Sequence, residues 1–553
     1  MNIPGLDKPL QTLQVISSAG YAQDEWRPLR NLTITAGLRL DISSFGNSPT
    51  FPNPNADALT FRDETGTAVK YSSGDLPEAK NLWSPRFGFN WDVAGDQQTQ
   101  VRGGTGVFTG PPLYVWISNQ LGNTGVLQGS LLEDNPTGRP FTTDISRYKP
   151  VVTGAPASSY ELDVTDNSFK FPQIWRTNIA VDRRLPGGIT ATGEFVYNKD
   201  VNGIYYINAN LPAAQSAFAG IDNRPRWTGT SCSAPTSGPC VTRINNAVRN
   251  QVTGAIVMKN QSVSHSWNAS AMLSKSLYHG LTLKGAYSYG DARNTIDPQS
   301  TANSSFGLNP HKGDPNNPGL GRSQSAQGHR AFLNATYSRS YFGFGATTVS
   351  AFLEASPSLN GAGAGISTTA SYVFAGDMNG DGGSGNDLIY IPKNTSEMNF
   401  SAFTAGGVTF TADQQAQAFE SYIKQDAYLS KHRGDYAERG GIWNPLVKRM
   451  DMSITQDVFH NIAGKRNSGQ FRMDFTNFGN LLNHNWGVSQ RLVVPLTQGY
   501  GAQILTNATA DAQGRATYRL ATANGKLVSK TFQTQSGLAD VYQFMLSFRY
   551  SFN

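Results

Sequence analysis

The stretch from Tyr542 to Phe552 constrains this chain more than any other. Tyr542, Phe544, Leu546, Phe548, Tyr550 and Phe552 alternate with Gln543, Met545, Ser547, Arg549 and Ser551. Successive side chains of a strand point to opposite faces, so a strand here carries one wholly apolar face. A soluble protein would have to cover that face, whereas a lipid bilayer covers it directly. Near the other end, Leu32, Ile34, Ala36, Leu38, Leu40 and Ile42 alternate with Thr33, Thr35, Gly37, Arg39 and Asp41. Strands of soluble sandwiches mostly run to about five or six residues. These run to about ten or more, the length that crosses a bilayer at a tilt.

The rhythm recurs along the chain. Pro85, Phe87, Phe89, Trp91 and Val93 oppose Arg86, Gly88, Asn90 and Asp92; Trp175, Thr177, Ile179 and Val181 oppose Arg176, Asn178 and Asp182. Leu281, Leu283, Gly285, Tyr287 and Tyr289 oppose Thr282, Lys284 and Ser288; Met450, Met452, Ile454 and Val458 oppose Arg449, Asp451, Ser453 and Asp457. The charges share one face each time, as a wetted lumen requires. Composition agrees: charged residues are 15%, aromatics 11% and mean hydropathy is −0.38. Disordered chains carry more charge and fewer aromatics, and no run of about 18 apolar residues offers a transmembrane helix. A net charge of +6 without a basic run gives no nucleic-acid footprint.

Short turns are expected around Pro28–Arg30, Ala94–Asp96, Leu185–Gly188, Tyr278–Gly280, Ser340–Gly343 and Asn461–Asn467. Between these hairpins lie long polar stretches at 45–82, 110–172, 200–261, 292–327, 355–445 and 480–540. Six hairpins and a final strand make about thirteen strands. Alternating short turns and long loops belong to transmembrane β-barrels, with the long loops extracellular. The fold class is therefore read as all-β, a transmembrane antiparallel β-barrel with long extracellular loops, over residues 1–553. An odd count leaves an unpaired edge, which lipid does not tolerate, so the strands are expected to be part of a barrel of about 22. The opening MNIPGLDKPLQ has neither the basic nor the apolar region of a signal peptide.

The motifs then resemble a known family. Tyr21-Ala-Gln-Asp-Glu-Trp26, followed by Asn31-Leu-Thr-Ile-Thr-Ala-Gly-Leu-Arg-Leu-Asp41, resembles a hairpin of TonB-dependent receptors, and Ser84-Pro-Arg-Phe-Gly-Phe89 with Val101-Arg-Gly-Gly104 resembles another. Gly376-Asp-Met-Asn-Gly-Asp-Gly382, Asn386-Asp-Leu-Ile-Tyr-Ile-Pro392, Tyr428-Leu-Ser-Lys-His-Arg433 and Arg472-Met-Asp-Phe-Thr-Asn-Phe478 are similar to the C-terminal barrel of the Oar-like subgroup. The resemblance implies a bacterial outer-membrane receptor and transporter, in contact with lipid, that captures a large nutrient at its extracellular loops. It also implies a plug domain and energy coupling through the TonB–ExbB–ExbD complex. No plug or coupling box is visible here, so the chain is expected to be the C-terminal barrel portion. The alternatives are a passive outer-membrane channel or a secreted β-rich surface adhesion protein.

Several side-chain groups invite chemistry. Asp377, Asn379 and Asp381 occupy positions one, three and five of a loop with Gly382 at position six, the opening of a calcium loop. Leu388 stands at position twelve with Asp387 one place early, so the loop departs from the EF-hand. Oxygen ligands favour Ca2+ over zinc; the alternative is a solvated Asp/Asn/Gly turn. Cys232 and Cys240, in TSCSAPTSGPC, are read as a local disulfide or as two free thiols. Thr411 and Gln414 fit a capping box for a helix to Gln425 with Phe419, Tyr422 and Ile423 on one face. The cluster Arg433, Asp435, Glu438 and Arg439 reads as a solvated or self-paired loop. Inward Arg39, Arg86, Arg102, Arg176, Arg472 and Arg549 either bind an anion or pair with lumen carboxylates or a plug. Trp26, Trp83, Trp175, Trp443 and Phe459 suit interfacial girdles. Loop aromatics such as Tyr114, Trp116, Tyr205, Tyr206 and Trp227 suit stacking on a peptide, glycan or siderophore; a peptide or other polymer fragment is favoured because loop histidines are sparse. The seven histidines are scattered and no HExxH or GxSxG occurs, so the chain is not read as an enzyme.

Overall fold

The computed structural model describes residues 11–552, apart from 111–113, 128–137, 139, 145–146, 149–158, 229–242, 248–249, 278–279, 343–344, 359–366, 462–466, 496–500, 507–508 and 535–536. Thirteen long strands form one antiparallel meander. They are β1 (Ile16–Leu29), β2 (Leu32–Ser44), β3 (Leu82–Asp92), β4 (Thr99–Thr109), β5 (Gln173–Leu185), β6 (Ile189–Asp200) and β7 (His265–Ser276). The wall continues through β8 (Leu281–Asn294), β9 (Gly328–Phe342), β10 (Gly345–Pro357), β11 (Leu446–His460), β12 (Asn467–Thr476) and β13 (Gln543–Phe552). Each pairs with its neighbour in the chain, and a two-residue strand, Gly321–Arg322, extends the sheet beside β8. This is the wall of a transmembrane β-barrel, with the strand count and loop order expected from the sequence. Among the described residues β1 and β13 do not pair with each other, so the sheet is open.

Register keeps the apolar face continuous from strand to strand. Ile34 lies opposite Phe89, Ala36 opposite Phe87 and Leu40 opposite Trp83. At the far edge Phe471 meets Phe548 and Phe475 meets Phe544, with the first pair of rings 4.9 Å apart. This face is half-buried to exposed, with Phe544 at 63% and Leu546 at 65%, because its partner is lipid rather than protein. A one-residue slip would turn every one of them into the lumen. The tight end is shaped by turns such as Pro186-Gly187-Gly188, where both glycines adopt positive φ (78° and 74°), a conformation that a Cβ disfavours.

Apolar burial is concentrated in the long connections rather than in the wall. Strand Thr369–Ala375 runs parallel to Gly501–Thr506, flanked by Ile442–Trp443 and Arg519–Leu520. Helix Ala412–Gln425 starts at the expected capping box of Thr411 and Gln414. It packs Phe419, Tyr422 and Ile423, all at most 1% exposed, into the same core as Tyr372, Phe374 and Leu520. A second sheet pairs Gly203–Asn208 with Asn250–Gln261, which Ser159–Thr165 joins in parallel. The long stretches read as polar therefore do more than connect the strands. The connections are polar on average, yet enough Tyr, Phe, Ile and Leu are spaced through them to build a layer with its own dry core. Trp443 is corrected: it belongs to this layer, under the Arg322 guanidinium at 4.7 Å. Trp26, Trp83 and Trp175 remain exposed on the outward face, as girdle residues do.

Candidate functional site

The loop layer is locked by buried charge. Arg224 is fully buried and donates from Nε to Asp222 (2.9 Å), from one terminal nitrogen to Asp387 (3.3 Å) and from the other to the Leu388 carbonyl (2.7 Å). Asp222 also accepts from the hydroxyls of Tyr436 (2.8 Å) and Tyr518 (2.9 Å). Three separate connections thus meet at the Arg224–Asp222 pair. Burial alone would push the Asp222 carboxyl up, but Arg224 beside it wins and holds it below the ordinary range.

The Asp377–Asp387 loop lies against this clamp. Asp377 accepts from the backbone N–H groups of Gly380 (2.7 Å) and Gly382 (2.9 Å). Asn379 accepts from Asp381 N–H and donates to the Gly313 carbonyl (2.9 Å), while Asp387 accepts from Met378 N–H (2.8 Å). Gly380 and Gly382 both take positive φ. The loop is not the solvated turn given as the alternative to a calcium loop: Asn379 is 1% exposed, Asp381 5% and Asp387 0%. His311, also buried, brings Nε2 to 3.1 Å from Asp381 Oδ2. The approach is an ion-pair distance without hydrogen-bond alignment, so that oxygen and the Asn386 side-chain oxygen are buried without a hydrogen-bond partner. Burial would lower the His311 imidazole, but Asp381 beside it raises it above its ordinary value. Burial together with the charges of Asp381 and Asp387 pushes the Asp377 carboxyl up to about 7. Among the described residues no three His, Cys, Asp or Glu side chains converge as a metal's ligand set. Any cation here would lean on Asn379 and backbone carbonyls.

The cluster read as solvated or self-paired instead reaches to other segments. Arg433 pairs with Glu420 of the helix (2.9 Å), and buried Arg439 pairs with Asp297 (3.1 Å). Cys232 and Cys240 lie outside the described residues. The aromatics expected on ligand surfaces are mostly core: Trp116 is 6%, Tyr206 2% and Trp227 4% exposed, and the Tyr205 hydroxyl donates to Glu64 (2.8 Å). A cleft of about 500 Å³ opens where this layer meets the inner wall, lined by Arg176, Asn198 and Ser266 from the strands and Trp116, Ile204 and Ile296 from the loops. Of the inward arginines, Arg39 pairs with Asp41 (2.8 Å), Arg102 with Asp182 (3.0 Å) and Arg472 with Asp474 (2.8 Å). Arg86 lies over the Phe108 ring at 4.6 Å. Nothing local marked Arg224 or His311 in the sequence, because Asp387 and Leu388, which Arg224 reaches beyond its neighbour Asp222, and Asp381, which His311 approaches, lie in another connection.

A family model described as an outer membrane beta barrel domain matches residues 7–517. No curated protein matches the chain. Among solved structures it is similar to the FrpB iron transporter from Neisseria meningitidis (F3-3 variant; 10% identity, TM-score 0.35, 84% of this chain and 40% of that one). It is also similar to the siderophore receptor PiuA from Acinetobacter baumannii (9%, 0.32, 84% and 39%). A third is the outer membrane transporter YddB from Escherichia coli (8%, 0.37, 84% and 50%). The chain therefore spans between about two-fifths and one-half of the length of these proteins.

Proposed function

Because the chain belongs to the outer membrane β-barrel domain family, and its place is the bacterial outer membrane, we propose that it forms the wall and covered mouth of a receptor that takes up a large nutrient ligand. The observation that carries this reading is the loop layer. A diffusion pore keeps an aqueous channel open; here the connections bury an apolar core and a charged clamp of their own. Passage past such a layer calls for rearrangement, and hence for work delivered from the periplasmic side. In this reading the TonB–ExbB–ExbD complex supplies that work through a plug, and about nine further strands complete a barrel of about 22 between the open edges of β1 and β13. The motifs favour the Oar-like subgroup of TonB-dependent receptors.

The ligand is proposed to be a peptide or another polymer fragment. A strain lacking the gene is expected to grow poorly when peptides are the limiting nutrient and normally when iron is limiting. A defect confined to iron limitation would overturn the ligand class in favour of an iron chelate.

The Asp377–Asp387 loop is proposed to hold Ca2+ at Asp377, Asn379 and Asp381, with Asp387 behind them. Among the described residues Arg224 pairs with Asp222 and Asp387, and His311 approaches Asp381, which leaves carboxylate charge in a buried place that a hard cation would relieve. Adding a chelator is expected to increase protease cleavage between Gly376 and Lys393 while the strands stay protected. Unchanged cleavage would identify the loop as a plain turn.

A further inference from the structure

Several inward arginines pair with a carboxylate, whereas among the described residues Arg86, Arg176 and Arg549 make no ion pair, and Arg176 lines a cleft. Arg39, Arg449 and Arg472 each have an aspartate two residues on, on the same face, and pair with it. Arg102 and Arg330 reach a carboxylate on a neighbouring strand. Arg176 has Asn178 two residues on, and its cross-strand neighbours are Gly106 and Asn198. It is exposed on the inner face and makes no ion pair among the described residues. On the other side of Gly106 stands Arg86, about 10 Å away by two strand spacings. Gly106 puts no side chain between them, and Arg86 lies over the ring of Phe108 on the same face of β4; a Cβ on Gly106 would lie 2.8 Å from the Pro85 carbonyl oxygen.

Arg176 also lines the cleft of about 500 Å³ beneath the loop layer. Of the other charged residues there, Arg293 contacts Asp291 (3.3 Å) and Glu438 (3.7 Å), and Asp200 is held by the Gln261 amide (2.9 Å) without an ion pair among the described residues. Trp116, Ile204 and Ile296 provide an apolar wall. One unneutralised, planar guanidinium beside an apolar wall suits a carboxylate attached to an apolar body, because the guanidinium fork matches a carboxylate with two parallel hydrogen bonds.

We propose that this cleft is a binding subsite for the carboxylate end of a ligand, with Arg176 making the charged contact and the Trp116 side covering the apolar part. The assignment rests on the receptor reading and names the chemistry that receptor would select. It is tested by equilibrium dialysis of the full chain, extracted from outer membranes in mild detergent, against N-acetylphenylalanine and its uncharged amide. The carboxylate is expected to bind roughly tenfold or more tightly than the amide, the size of a charged hydrogen bond. Arg176→Gln should erase that preference, and Arg549→Gln, on the distant β13, should keep it. Equal binding of the two probes, no binding of either, or a preference that survives Arg176→Gln would overturn the proposal. Arg176 could instead meet an acidic side chain of a polypeptide segment inside the barrel. In that case neither probe binds and Arg176→Gln lowers the temperature at which the folded barrel loses its compact electrophoretic mobility, which also overturns a diffusible ligand. A growth phenotype absent from the deletion strain, with the carboxylate preference intact, would sink the receptor reading and leave the subsite standing.

Discussion

Replacing Arg224 with methionine is expected to release the extracellular layer while the strands stay folded. The guanidinium is fully buried and holds Asp222 and Asp387, which are themselves buried. Removing it leaves two carboxylates without their main partner in a place water does not reach. Breaking a buried ion pair from one side costs about 3–5 kcal/mol, a large share of the stability of any small packed unit. The strands bear little of that loss, because their hydrogen-bond ladder and lipid face do not involve Arg224. Limited proteolysis should therefore cut connections 201–264 and 358–445 in the Arg224→Met protein, with fragments that still contain intact hairpins. Asp387→Asn, which keeps the shape and removes one charge, should produce a weaker form of the same pattern. A digest identical to that of the unaltered protein would show that the clamp does not hold the layer together.

The wall was legible in the sequence because its physics is local. Each strand carries its own alternation, each turn its own glycine or asparagine, and an outward face is recognised without knowing which strand lies beside it. Helix Ala412–Gln425 was legible for the same reason, through Thr411, Gln414 and the spacing of Phe419, Tyr422 and Ile423. The loop layer was not. Its strand Thr369–Ala375 finds a parallel partner in Gly501–Thr506, well over one hundred residues on, and no periodicity announces such a pairing. Trp443 looked like a girdle residue because it precedes a membrane strand, yet Arg322 and the layer hold it. Arg176 lay between these extremes. Its missing aspartate was readable, since Asn178 stands where Asp41, Asp451 and Asp474 stand elsewhere, but the cleft above it forms only when distant connections fold together.

One face of the sheet meets lipid and the other a wetted lumen. Leu333 and Asn334 are adjacent near the middle of β9 and point to opposite faces: Leu333 lies opposite Gly285 and Leu353 on the outer side, Asn334 opposite Lys284 and Phe352 on the inner side. An arginine placed at mid-depth on a barrel's lipid face costs about 2–4 kcal/mol, whereas lumen positions accept charge. The decisive measurement is the yield and thermal resistance of the folded, fast-migrating form in outer membranes for Leu333→Arg beside Asn334→Arg. The account predicts that Leu333→Arg assembles poorly and melts at a markedly lower temperature, while Asn334→Arg matches the unaltered protein. Equal tolerance of both substitutions, or greater damage from Asn334→Arg, would contradict it.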